Sequence, residues 1–278
     1  MPTKILCSTG TLVGRANGYN HRIVTENHQN IDADGFELMM LKAYYERLSE
    51  VIRDFEKACV NVETIHFEKN ITALLGLGNS EDREEGLRIF RTNAKTGKAL
   101  GAKTAVFHLW DGRFSPEQTE SVLTLLEVLY EICEENGVTL MVENVPARVP
   151  SAFENVAEAA RRYPDARFTF DTRHAHVMRQ CETFFESPLW ARIGHIHVSD
   201  YSGETVPEMW GVTRPILHPG EGIIDFDALF AAMPPFRGDT VTLESPVLHR
   251  DGSVDIPKLC GSLQALKARF AQNIVKNL

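Results

Sequence analysis

Apolar residues fall along the chain in eight short runs, and between most of them lie longer stretches in which they recur three and four positions apart. The runs are KILCSTG from Lys4, GFELMM from Gly35, VETIHFE from Val62, TAVFHLW from Thr104, TLMVENV from Thr139, ARFTFDT from Ala166, IGHIHVSD from Ile193 and TVTLESP from Thr240. Most are rich in β-branched or aromatic residues and stay apolar until a polar residue appears at the C-terminal end. Parallel strands buried on both faces read this way. Strands alternating with amphipathic helices predict βαβ units. Eight of them predict an α/β fold, a (β/α)8 TIM barrel that occupies residues 1–278 as a single domain. No GxGxxG follows the first run to favour an open dinucleotide-binding sheet, and the GLGN at 76–79, with no strand leading into it, reads as a turn.

The helices carry their own punctuation. Ser115, Pro116 and Gln118 supply an N-cap, a proline at the first helical position and the far half of a capping box. Val122, Leu125, Leu126, Leu129 and Ile132 continue that helix on one face, and Asn136-Gly137 stops it. Ser151 with Glu154 opens another, which must end before Pro164. Similar patterns occupy about 47–60, 80–99, 225–233 and 256–275, whereas 11–34 is irregular and 201–222 reads as a long loop. Long loops in compact domains are commonly functional.

Composition then narrows the class. With 43% hydrophobic and 24% charged residues the chain has ample material for a core. A net charge of −9 opposes binding to phosphate backbones, so no nucleic-acid partner is expected. Neither a signal peptide nor a run of roughly 18 apolar residues is present, which points to a cytoplasmic protein without a membrane contact. Cys7, Cys59, Cys133, Cys181 and Cys260 are odd in number and scattered, as reduced thiols are.

Polar side chains gather at the C-terminal ends of the runs, the face on which barrels of this type build their sites. They are Glu37, His66, His108, Glu143, Asp171 with His174, His197 with Asp200, and Glu244. Glu143, Asp171, His197 and Glu244 each follow an apolar run. Burial there would strand three negative charges unless a cation neutralised them. Three carboxylates and an imidazole suit Mn²⁺, Mg²⁺ or Co²⁺, with Zn²⁺ also compatible. The last four strands are neighbours around a closed barrel, so these side chains can meet. His195, two residues before His197, should point the same way but deeper, in a structural role. Asp200 reads as a loop cap, and the PGEG turn at 219–222 as a shaper of the loop.

The strings VENVP, FDTRHAH, HIHVSD, HPGEGIIDF and TLESP, in this order, resemble the motifs of the xylose isomerase-like superfamily. That group takes in ketose 3-epimerases, inosose dehydratases, hydroxypyruvate isomerases and the endonuclease IV group. The resemblance implies that Glu143, Asp171, His197 and Glu244 are metal ligands, that Glu143 and Glu244 are the catalytic acid and base, and that His174 contacts substrate. It implies a small carbohydrate-like substrate handled through an enediolate, and assembly into a homodimer or homotetramer. His66 and His108 match histidines that hold additional zinc in the endonuclease IV group, which makes a second metal there, or a substrate contact, an expectation. Glu37, Trp110 and His218 are further candidates for substrate contact. Two departures stand out. Val149 occupies the place of a second epimerase glutamate, and TRPILHPG lacks the aspartate of the Asp-x-His pair used by the nuclease group.

Overall fold

Each apolar run forms a strand, because its β-branched and aromatic side chains are covered on both faces. In chain order these are β1 (Lys4–Ser8), β2 (Gly35–Met39), β3 (Val62–His66), β4 (Thr104–Phe107), β5 (Thr139–Glu143), β6 (Arg167–Asp171), β7 (Ile193–Val198) and β8 (Thr240–Leu243). All pair in parallel with their sequence neighbours, and β8 closes on β1 with Lys4 opposite Thr240 and Cys7 opposite Leu243. Closure leaves no unpaired strand edge. The computed structural model describes residues 3–206 and 210–275. Among them no helix is long and apolar enough to cross a membrane.

The helices begin where their caps predict. Ser115 accepts from the Gln118 amide and Ser151 from the Glu154 amide, each as half of a capping box. The stretch after Ser115 is two helices, Pro116–Leu123 and Leu126–Glu135, where one had been expected. Between them the Thr124 hydroxyl donates to the Ser121 carbonyl and the Leu125 amide to the Val122 carbonyl, which tightens one turn toward 3₁₀ geometry. Short helices at Asn70–Gly76, Thr172–Val177 and Cys181–Glu186 span too few turns to leave a periodic signal.

The long segment after β7 folds back on itself. Asp200–Tyr201 pairs antiparallel with Ile216–Leu217, and a bridge joins Thr205 to Thr213. Asp200 is the clasp. One carboxylate oxygen accepts from the amides of Tyr201 (2.8 Å) and Ile224 (3.1 Å), the other from Gly220 (3.1 Å) and Gly222 (2.9 Å). Gly222 comes so close that a Cβ there would overlap the Tyr201 carbonyl and the Asp200 carboxylate. A hydrogen bond to a charged group is worth about 1.5–3 kcal/mol, and orphaning buried amides adds to the loss. Asp200→Ala should therefore cost about 3 kcal/mol or more in a urea titration. A loss below about 1 kcal/mol would show that the clasp is dispensable.

Candidate metal centre

Strand register brings the candidate ligands to one rim. Glu143 ends β5, Asp171 ends β6, and Glu244 follows directly on β8. Asp171 sits opposite His197, which sits opposite Thr242. The FDTRH string orients Asp171 by a local device. Its Oδ1 accepts from the His174 amide (2.8 Å) and so caps the helix Thr172–Val177, which leaves Oδ2 without a hydrogen-bond partner. Asn144, the residue after Glu143, holds the Asp171 backbone at both ends, accepting from its amide (2.6 Å) and donating to its carbonyl (3.3 Å).

Glu143, Asp171 and His197 each offer a donor atom within 4.8 Å of the others, and so do His66, His197 and Glu244. Nδ1 of His197 lies 3.3 Å from Glu143 Oε1 and 3.6 Å from Glu244 Oε2. Nδ1 of His174 lies 3.4 Å from Glu143 Oε1 and 3.7 Å from Asp171 Oδ2. Ligands about 2.1 Å from a shared ion sit about 3.0–3.4 Å apart, so two of these four spacings already suit one divalent cation and the other two exceed the range by a few tenths of an ångström. Five buried atoms converge here, none with a hydrogen-bond partner outside the cluster: His66 Nε2, His108 Nε2, Glu143 Oε2, Asp171 Oδ2 and His174 Nδ1. Such a concentration of unpaired donors and acceptors fits a metal centre better than a hydrogen-bonded core.

On the far side of Glu143, Oε2 lies 2.8 Å from His108 Nε2 and 3.5 Å from His66 Nε2. The His66 Nδ1–H donates to the Phe67 carbonyl (2.9 Å), which in the neutral ring leaves the Nε2 lone pair facing the carboxylate. Two acceptors placed face to face in the interior repel unless a proton or a cation stands between them.

The electrostatics are those of an acid-rich pocket. Burial works against ionisation of Glu143, but the imidazoles of His108 and His197, with hydrogen bonding from His108 and His174, outweigh it and hold the carboxyl well below the usual range. Burial likewise works against charge on His197, and Glu244, Glu37 and Glu143 together raise its imidazole well above the ordinary value. Burial pushes His108 down to about 3, leaving it neutral at physiological pH and able to offer a lone pair. Arg173 is the basic residue nearest the carboxylate cluster. Its guanidinium donates to Ser199 (3.0 Å) and Thr213 (2.9 Å) and comes within 3.6 Å of Asp171.

Three residues expected to touch substrate are placed otherwise. Glu37 is fully buried beneath His197, where it accepts from the Nε2 atoms of His197 (3.1 Å) and His195 (3.0 Å). His218 turns Nδ1 to the Ser262 hydroxyl (2.7 Å) and Nε2 to the Pro246 carbonyl (3.3 Å), so both nitrogens are spent outside the cluster. Trp110 has no exposed surface and donates to the Val145 carbonyl (2.8 Å), which makes it packing. His195 lies deeper than His197, with Nδ1 on the Thr240 hydroxyl (2.6 Å). Asn144 escaped the sequence reading although it lies inside a quoted string, because its residue type does not point to metal chemistry by itself.

A family model described as xylose isomerase-like TIM barrel matches residues 19–265. No curated protein matches the chain in sequence. Among solved structures it is similar to the IolI protein with a bound zinc atom, at 19% identity over 99% of both chains and a TM-score of 0.69. It is also similar to a D-allulose 3-epimerase from Methylomonas sp. in complex with D-allulose, at 14% identity over 96% of this chain and 97% of that one, with a TM-score of 0.71. A third is 3-keto-D-glucoside 4-epimerase from E. coli, at 18% identity over 96% and 99%, with a TM-score of 0.65.

Proposed function

The chain belongs to the xylose isomerase-like TIM barrel family, and on that footing we propose that it is a divalent-metal-dependent isomerase or epimerase acting on a small sugar, polyol or keto acid. The observation that carries this reading is that Glu143, Asp171 and His197 form one group of potential ligands at the strand ends, that His197 is shared with a second group containing His66 and Glu244, and that Asp171 Oδ2 is buried without a hydrogen-bond partner. The sugar epimerases and the zinc-bearing IolI protein among its structural neighbours support the same class. When bound, the ion supplies Lewis-acid polarisation of a carbonyl and the hydroxyl beside it.

The remaining chemistry falls to the chain's own groups. Glu143 and Glu244, on β5 and just beyond β8, approach the His197 ring from separate strands. One carboxylate takes the proton from the carbon next to the carbonyl, leaving an enediolate, and the other carboxyl returns a proton to the opposite face. The carbon is thereby inverted. With a leaving group on the neighbouring carbon, the same abstraction ends in dehydration. His174, Nδ1 unpaired, is placed to hold a substrate hydroxyl.

Incubation in D₂O with a panel of ketoses and keto-polyols tests this reading. Solvent deuterium should enter a single carbon of the true substrate. Absence of exchange across the panel by metal-loaded protein would count against enediolate chemistry.

A second reading, metal-dependent phosphoester cleavage, is favoured by the His66–His108–Glu143 group, which suits a second ion. Two or three zinc ions per chain by elemental analysis, with cleavage of abasic DNA, would select it. One ion per chain selects the isomerase.

A further inference from the structure

Glu37 belongs to neither the metal ligands nor the surface a substrate would reach, yet the barrel interior is arranged around it. It stands on β2, and its carboxylate crosses the barrel to β7. A single oxygen, Oε2, receives the Nε2–H of His197 at 3.1 Å, the Nε2–H of His195 at 3.0 Å and the Thr242 hydroxyl at 3.3 Å. None of its side chain is exposed. An isolated carboxylate in such a place is expensive, and an apolar residue would fill the volume at less cost. The three donors gathered on one oxygen offset that cost and fix where the charge sits.

We propose that Glu37 is a positioning residue of the metal centre, which anchors Nε2–H of His197 so that Nδ1 is the nitrogen turned toward Glu143 and Glu244. The proposal rests on the metal-dependent reading above. The geometry fits at each step. An imidazole can be neutral in either of two tautomers, and its ligating nitrogen is decided by what holds the other one. Here Nε2 is held from below by Glu37, while Nδ1 faces Glu143 Oε1 at 3.3 Å and Glu244 Oε2 at 3.6 Å. His195 makes Glu37 rigid in turn. The Thr240 hydroxyl at 2.6 Å fixes its Nδ1, leaving its Nε2–H for the same carboxylate oxygen. Glu37, His195, Thr240 and Thr242 thus form a layer beneath the ligands that sets the orientation of one of them. A glutamine at position 37 would keep the shape but remove the charge. Its amide would also turn N–H toward a ring N–H or leave one ring unpaired.

The test is a titration of metal-free protein with Mn²⁺, wild type against Glu37→Gln, with melting curves of both metal-free forms. The variant is expected to bind Mn²⁺ about 10–100-fold more weakly, as losses of such supporting carboxylates do. Glu37→Asp, which restores the charge, should recover part of the affinity. With Zn²⁺ as a diamagnetic probe, ¹⁵N spectra should show the His197 proton on Nε2 alone in the wild type and a mixture of tautomers in the variant. A purely structural Glu37 would lower the melting temperature and move neither affinity nor tautomer. Should Glu37→Gln not fold, Thr242→Val removes one donor to the same oxygen and should weaken Mn²⁺ binding in the same direction. If wild type binds Mn²⁺ and the variants bind it equally well, this proposal falls and the metal reading stands. If wild type binds no divalent ion, both fall.

Discussion

Glu143→Gln should lower turnover by roughly a thousandfold or more, and Glu244→Gln by a comparable factor. General acid–base groups contribute about 10²–10⁴-fold each, and Glu143 stands to lose more because the same carboxylate is a candidate ligand. The amide is isosteric, so packing around a residue that is 1% exposed is kept. What disappears is the negative charge that His197 balances across 3.3 Å, together with the atom that would accept a proton. Glu244, with 11% of its side chain exposed, lies nearer the barrel mouth, and its substitution should chiefly slow proton return. Steady-state kinetics on a substrate found by deuterium exchange measure both. Retention of more than about a tenth of wild-type turnover by both variants would exceed what the loss of an acid–base pair allows, and the two-glutamate mechanism would be abandoned.

Removal of metal should have an effect at least as large. Chelated protein is expected to lose all turnover and to regain it with Mn²⁺, Co²⁺, Mg²⁺ or Zn²⁺. The stability change follows from mass action. An ion that binds only the folded chain at a hundred times its dissociation constant stabilises by about 2.7 kcal/mol. For a chain of this size each kcal/mol moves the melting temperature by about 2–4 °C, so the rise should be about 5–10 °C. Its origin is the charge imbalance of the cluster. Glu143, Asp171 and Glu244 gather around His197 with Arg173 as the nearest fixed cation, and a dication that takes the place of the His197 Nδ1 proton relieves the rest. Asp171→Asn should blunt the rise, because the Oδ2 that the helix cap leaves unpaired would no longer carry charge. Unchanged activity after exhaustive chelation, with no thermal shift for any of the four ions, would remove the ion from the account.

The eight strands were legible because each is apolar until its last residues, and a closed barrel buries both faces of every strand. The sites of the four candidate ligands were legible for the same reason, since a lone acid at the end of an apolar run needs a partner that the run does not contain. Capping boxes at Ser115 and Ser151 announced their helices through local hydrogen bonds that need no tertiary contact. The break at Thr124 and Leu125 was hidden, because an apolar face three and four apart is the same whether the helix is continuous or pinched for one turn.

Roles that depend on contacts across the barrel were decided by the fold. Glu37 and His197 are 160 residues apart in sequence, and nothing near either one foretells that the first holds the second. His218 and Trp110 looked like pocket residues by their positions at strand and loop ends, but the Ser262 hydroxyl and the Val145 carbonyl take their polar atoms away from the cluster. Sequence thus determined the barrel and the chemistry available at its rim, because burial pattern and donor type are properties of a few neighbouring residues. Which nitrogen faces which oxygen is a property of strand register and side-chain direction, and that was set only when β8 closed on β1.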